Sequence, residues 1–348
     1  MSTGKRLAYP DFLRVIASFF VVVIHVSCVG LMYYDVGSSV WLWSTAINSV
    51  CHWAVPAFFM ISGMFLLDPQ KKFDTKAFFK KNVVRIAAAA LIFGFLYACL
   101  DRVLFGDFSL KSAAIVVYYT VFGKAGYHLW YLFALLVLYV FTPALRVFTT
   151  NASKKELDCA LILWFVFFIV FGQIDLLAEE IAGIEELMPF PQAKLMGYAG
   201  YYLLGYRLKV YPFEKKTLAW ICVGAAAALV VLPAATIYFG QVKETPEVDA
   251  FIDQLGVGSC LIAAALFSLA SRMRIGERAG KVLRFVGSHT FGIYLWHVLF
   301  VTLFFHILSF RLDVLPPLAL IGYSAAVYLC AFAVTALMKL IPGLKKLI

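Results

Sequence analysis

An arginine and a histidine stand eleven positions apart inside the first long apolar segment, Phe12 to Tyr34, and an aspartate sits just ahead of it. Eleven residues of α-helix make about three turns, so Arg14 and His25 share one face, about 16 Å apart along the axis. Ionisable groups inside an apolar span are expensive to place in lipid and as a rule face a protein interior or a watery cavity. A cation near one membrane surface and a proton carrier deep in the span have the chemistry of a binding anchor and a reacting group. Asp11, three residues before Arg14, is within pairing distance of it on a helix. Two plainer roles fit the same residues taken singly: Arg14 extending to the headgroups and His25 making an interhelical hydrogen bond.

Other polar groups inside apolar stretches extend the set. Asn48, His52 and Pro56 recur at four-residue intervals, which predicts one helix face with a kink at the proline. His52 should then lie at the depth of His25, with Asn48 placed to orient its ring; a hydrogen-bonded kink is the other reading. The loop Asp68 to Arg85 is dense in lysine, and Lys80, Lys81 and Arg85 could hold phosphates by charge-assisted hydrogen bonds or simply flank a span. Tyr127-His128-Leu129-Trp130-Tyr131 reads as an interfacial aromatic belt with a histidine in it. In the late segment Gly287 to His297, Tyr294 and His297 are one turn apart and could share a hydrogen bond. No glycine-rich phosphate loop or dinucleotide fingerprint is present. The seven cysteines are scattered through apolar stretches without a CxxC or Cys/His cluster, so neither a metal site nor a disulfide framework is indicated.

The elements that must position these groups are membrane helices. Apolar residues make up 63% of the chain and charged residues 14%, against about 45–50% and 25% in soluble domains. The expected fold class is therefore all-α, a polytopic membrane protein forming a single transmembrane domain over residues 1–348. Apolar runs predict about ten spans: 12–34, 41–67, 83–105, 127–148, 157–177, 196–210, 217–239, 256–273, 284–308 and 316–340. The run at 196–210 is short and rich in tyrosine and glycine. Ser112 to Phe122 is too short to cross and is expected to lie at an interface or re-enter. The first run is too long for a cleavable signal peptide and lacks a small-residue cleavage site. With the N-terminus inside, all but six of the 30 basic residues fall on the inner side, as the positive-inside rule requires. Both termini are then cytoplasmic. The outer loops carry acids instead, including Glu185, Glu186 and Glu247. A basic inner face attracts anionic lipids and would equally attract an anionic cytosolic substrate.

Taken in order, these motifs resemble the acyltransferase-3 family of integral membrane acyltransferases. Tyr9-Pro10-Asp11-Phe12-Leu13-Arg14 followed by His25 is similar to the family's opening signature. Ile61-Ser62-Gly63-Met64-Phe65-Leu66 resembles the end of its second span. His128-Leu129-Trp130-Tyr131 and Gly292-Ile293-Tyr294-Leu295-Trp296-His297 resemble two later motifs. One departure is Asn82, where the family often carries the first arginine of a pair whose second is Arg85.

The resemblance implies transfer of an acyl group, most simply acetyl, from cytosolic acyl-CoA to a hydroxyl of a cell-surface glycan or lipid-linked glycan precursor. The expected setting is the bacterial inner (cytoplasmic) membrane. Acetyl-CoA would serve as donor, without a metal; the partners would be the glycan acceptor and membrane lipids, with no nucleic acid. His25 would be the catalytic base or a transient acyl carrier. Arg14, Lys81 and Arg85 would hold the CoA phosphates. His128, Trp130, Tyr131, His52 and His297 would bind the acceptor side. A transporter or flippase for a sugar or lipid-linked sugar is the rival reading; it expects internal repeats with paired broken helices, which the sequence lacks.

Overall fold

A computed structural model describes residues 7–105, 110–124, 126–184, 187 and 194–348 of the chain, without the side chains of 105 and 110–112. Four charges assigned to loops from the sequence, Lys5, Arg6, Glu185 and Glu186, lie outside the described residues. The helices are α1 (Tyr9–Tyr33), α2 (Ser39–Ser49), α3 (Ala54–Leu66), α4 (Thr75–Phe78), α5 (Val84–Phe105), α6 (Leu110–Val121), α7 (Trp130–Asn151) and α8 (Lys154–Trp164). They continue as α9 (Phe171–Ala182), α10 (Lys194–Val210), α11 (Lys215–Lys243), α12 (Asp249–Ile252), α13 (Val257–Ala270), α14 (Glu277–Gly287), α15 (Thr290–Thr302) and α16 (Pro316–Leu340). Turns of π-helix join α4 to α5 and α8 to α9. No described residue lies in a strand, and the chain is an all-α polytopic membrane protein.

Among the described residues nine segments are long and apolar enough to cross a membrane, and they match nine of the ten expected spans. The tenth, expected at 196–210, is α10, a 17-residue helix at the lower limit for crossing. Its glycines and tyrosines mark a helix enclosed by protein. Tyr201 and Tyr202 have no exposed surface. A Cβ added at Gly205 would fall 1.9 Å from the Met60 carbonyl oxygen, and one at Gly63 would fall 1.7 Å from that of Tyr202. These two glycines let α3 and α10 cross backbone to backbone, as small residues do between membrane helices.

Two expectations about local structure are corrected. The second span is not one kinked helix: α2 ends at Ser49, residues 50–53 form a turn, and α3 begins at Ala54. Pro56 has no N–H for the His52 carbonyl and its ring would collide with it, so the helix stops and restarts. His52 therefore sits in the turn rather than on a continuous face. The ninth span begins at Thr290, not 284, because α14 ends at Gly287.

Contacts divide the chain into two compact units. The first holds the residues up to Phe65 with Ala152–Ala333, and the second Leu66–Asn151 with Val334–Ile348. In the first, α1 is central and packs against α2, α13, α14 and α15. In the second, α5 packs against α6 and α7; the short apolar stretch at 112–122 is α6, with Gly94 facing Thr120.

Candidate active site

The face of α1 carries the site in the first unit. Arg14 Nη1 donates to Asp11 Oδ1 at 2.9 Å, and its guanidinium lies 5.3 Å from the Phe65 ring centroid. The arginine side chain keeps 28% of its surface exposed while the carboxylate keeps 4%. One turn on, Ser18 donates to the Val15 carbonyl and accepts from the Tyr328 hydroxyl at 3.0 Å. Ser18 and Tyr328 were not singled out from the sequence, although Ser18 stands four residues after Arg14 on the same face.

His25 closes the row. Its ring centroid is 4.8 Å from that of His297, with the planes at 45°. His52 is linked to the same turn through Asn48, which bonds both the His52 ring and the Ile24 carbonyl next to His25. Three imidazoles from α1, the α2–α3 turn and α15 thus converge, although 272 residues separate the first from the last. His297 is fully buried, His52 is 7% exposed, and His25 is partly exposed.

Hydrogen bonds fix two of these rings. The Asn48 amide nitrogen donates to the Ile24 carbonyl at 3.2 Å and to Ser27 Oγ at 2.9 Å, and Ser27 in turn donates to α1 carbonyls. A carbonyl can only accept, so the Asn48 Oδ1 must face the His52 Nε2, 2.8 Å away. His52 therefore donates through Nε2, and Nδ1 holds the lone pair of the neutral ring. That Nδ1 is buried with no hydrogen-bond partner among the described residues. His297 Nδ1 donates to the Tyr294 carbonyl at 2.6 Å, which leaves the lone pair on Nε2. The expected bond between Tyr294 and His297 thus forms, to the main chain. Asn48 also ties α2 to α1 at the residue before His25.

The remaining candidates belong to the second unit. His128, 2% exposed, lies in a 3₁₀ turn before α7, its ring 4.7 Å from Tyr97 and 5.8 Å from Tyr127, edge to face. Trp130 and Tyr131 are partly exposed and pack edge to face at 6.3 Å. Lys81 is exposed in the π turn before α5. Arg85 is partly buried and its Nε donates to the Leu347 carbonyl at 3.2 Å, so the end of the chain is laid on it.

Arg146 has a structural role. Its guanidinium donates to the carbonyls of Leu66 and Asp68 at 2.7 and 2.8 Å through Nη1 and to Lys71 at 2.9 Å through Nη2, above the Phe73 ring. It satisfies carbonyls left open where α3 ends. Among the described residues no three His, Cys, Asp or Glu side chains are placed to hold a metal ion.

A family model described as an acyltransferase domain matches residues 7–336. The chain belongs to the acyltransferase-3 family. No curated protein and no solved structure matches it. Membership makes the chain a membrane acyltransferase, and the match contains all four motifs read from the sequence. Of these, the opening and late motifs meet in one place, because His25 and His297 touch. The glycine of the second motif, Gly63, serves a helix crossing and not the chemistry.

Proposed function

We propose that this acyltransferase moves an acetyl group from cytosolic acetyl-CoA to a hydroxyl of a cell-surface glycan or lipid-linked glycan precursor. Its place would be the bacterial cytoplasmic membrane, with both termini inside. The observation that supports this best is the single face of α1: an arginine at one end, a polar Ser18–Tyr328 pair in the middle, and a histidine joined by two others deep in the span. Arg14 suits a CoA phosphate by charge-assisted hydrogen bonding. The long, thin pantetheine arm suits the stretch between, about 16 Å at helical rise. His25 then takes the proton of the acceptor hydroxyl as its oxygen attacks the thioester carbonyl. The carbon–sulfur bond breaks, and the CoA thiolate leaves and is protonated. With their lone pairs fixed on Nδ1 and Nε2, His52 and His297 can share or hold that proton.

The test is equilibrium binding of radiolabelled acetyl-CoA to detergent-purified protein, with release of acetate or acetylated glycan followed as turnover. Saturable binding with turnover is the expected result. Failure to bind acetyl-CoA under any acceptor condition would overturn the donor assignment.

A further inference from the structure

Helix α14 has no part in the site described above, yet its composition and position are unusual. Residues 272–284 hold Arg272, Arg274, Arg278, Lys281 and Arg284 against a single acid, Glu277. Arg272 is bound to the Phe213 carbonyl, and Lys281 pairs loosely with Glu277 at 3.2 Å, both strongly exposed. The helix has 11 residues, far too few to cross a membrane. It links two segments that are long enough to cross, Asp249–Ala270 and Thr290–Ile307. A short helix between two such spans lies along the surface from which the first emerges and the second enters.

Its two faces differ. Gly280 and Gly287 are buried, seven residues apart. A Cβ on Gly280 would stand 3.6 Å from that of Ala8, and one on Gly287 would stand 3.5 Å from both the Cβ and the carbonyl oxygen of Asp11. The opposite face carries Arg278, Lys281, Val282 and Phe285 at i, i+3, i+4 and i+7. There Val282 is 62% and Phe285 59% exposed. Apolar side chains beside long cationic ones suit the boundary between acyl chains and headgroups, where lysine and arginine reach outward.

We infer that α14 is a surface helix that docks on anionic phospholipid headgroups and, through its glycine face against Asp11, sets the position of the Arg14 guanidinium. The occupant is a lipid surface because the exposed face offers both charge and apolar depth, and because spans on either side hold it at that surface. Asp11 is the group that orients Arg14, so a shift of α14 reaches the arginine through one contact and one ion pair.

Hydrogen exchange on the full chain in lipid nanodiscs tests this without relying on the acetyl-CoA reading. Discs of phosphatidylcholine alone are compared with discs containing phosphatidylglycerol. The expected result is slower amide exchange across 277–287 and 9–14 in the anionic discs, by about five-fold per basic residue engaged. The slowing should vanish in high salt and in the Arg278→Gln/Lys281→Gln double variant. Equal exchange in both discs, or slowing that survives in the double variant, would overturn the proposal. Slowing at 277–287 with 9–14 unchanged would overturn the link to Arg14.

Discussion

The two units each set a histidine among rings, and the surroundings of the two differ sharply. His25 meets two other imidazoles drawn from distant parts of the chain, and hydrogen bonds fix the orientation of both. His128 meets two tyrosine rings, one of them its neighbour in sequence, in edge-to-face contact. Aromatic packing of the second kind stabilises by about 0.5–1.5 kcal/mol per pair. Basic nitrogens in an apolar span are costly to place there, and they are the groups to which the proposed function assigns the proton transfer. Burial of a histidine is therefore weak evidence of function; the chemistry of its neighbours carries more.

The arginines teach the same lesson. Arg14 has one carboxylate and keeps more than a quarter of its side chain exposed. Arg146 is 9% exposed and wrapped by three carbonyls. The exposed part of the first is where the proposed donor phosphate would bind, whereas the second holds the end of α3.

Substitutions can break or sharpen this contrast. The largest effect is expected at His297→Phe, which keeps the ring volume and removes both nitrogens: turnover should fall by about 100-fold, in the range of a lost acid–base group, with acetyl-CoA affinity unchanged. An equal loss in affinity would make His297 a packing residue and erase the contrast with His128. Asn48→Ala comes next. It frees the His52 ring and leaves the Ile24 carbonyl and Ser27 short of a partner, so turnover should drop roughly ten-fold alongside a stability loss of about 1–3 kcal/mol, read by thermal unfolding in detergent. Arg14→Gln should weaken acetyl-CoA binding by about ten-fold, the worth of one charged hydrogen bond, while single-turnover rate at saturation changes little. The smallest effect is expected from His128→Phe: a change in turnover below about three-fold, because a phenyl ring can keep the edge-to-face packing. A hundred-fold loss there would move the acceptor chemistry into the second unit.

Much of the fold was legible because an apolar run of about 20 residues admits few structures in lipid. Arg14 and His25 could be paired from the sequence because both lie on one helix, where spacing alone decides the face. At His52 the four-residue spacing did bring the ring to Asn48, but the helix breaks at residues 50–53 ahead of Pro56 rather than only kinking. The meeting of His25 with His297 had no sequence signal, since the packing of α1 against α15 is a tertiary outcome. Asn48 was legible as the orienter of His52, but its grip on Ile24 and Ser27 was not, for the same reason. The structural role of Arg146 had no sequence signal either, because its carbonyl partners stand 75 to 80 residues earlier.

The most direct test of the central claim is single-turnover transfer from radiolabelled acetyl-CoA by wild type beside His25→Ala, with acetyl-CoA binding measured on the same samples. The account predicts equal binding and a loss of transfer on the order of 10³-fold or more in the variant. Transfer that persists in His25→Ala at near the wild-type rate, with binding intact, would place the chemistry elsewhere and contradict it.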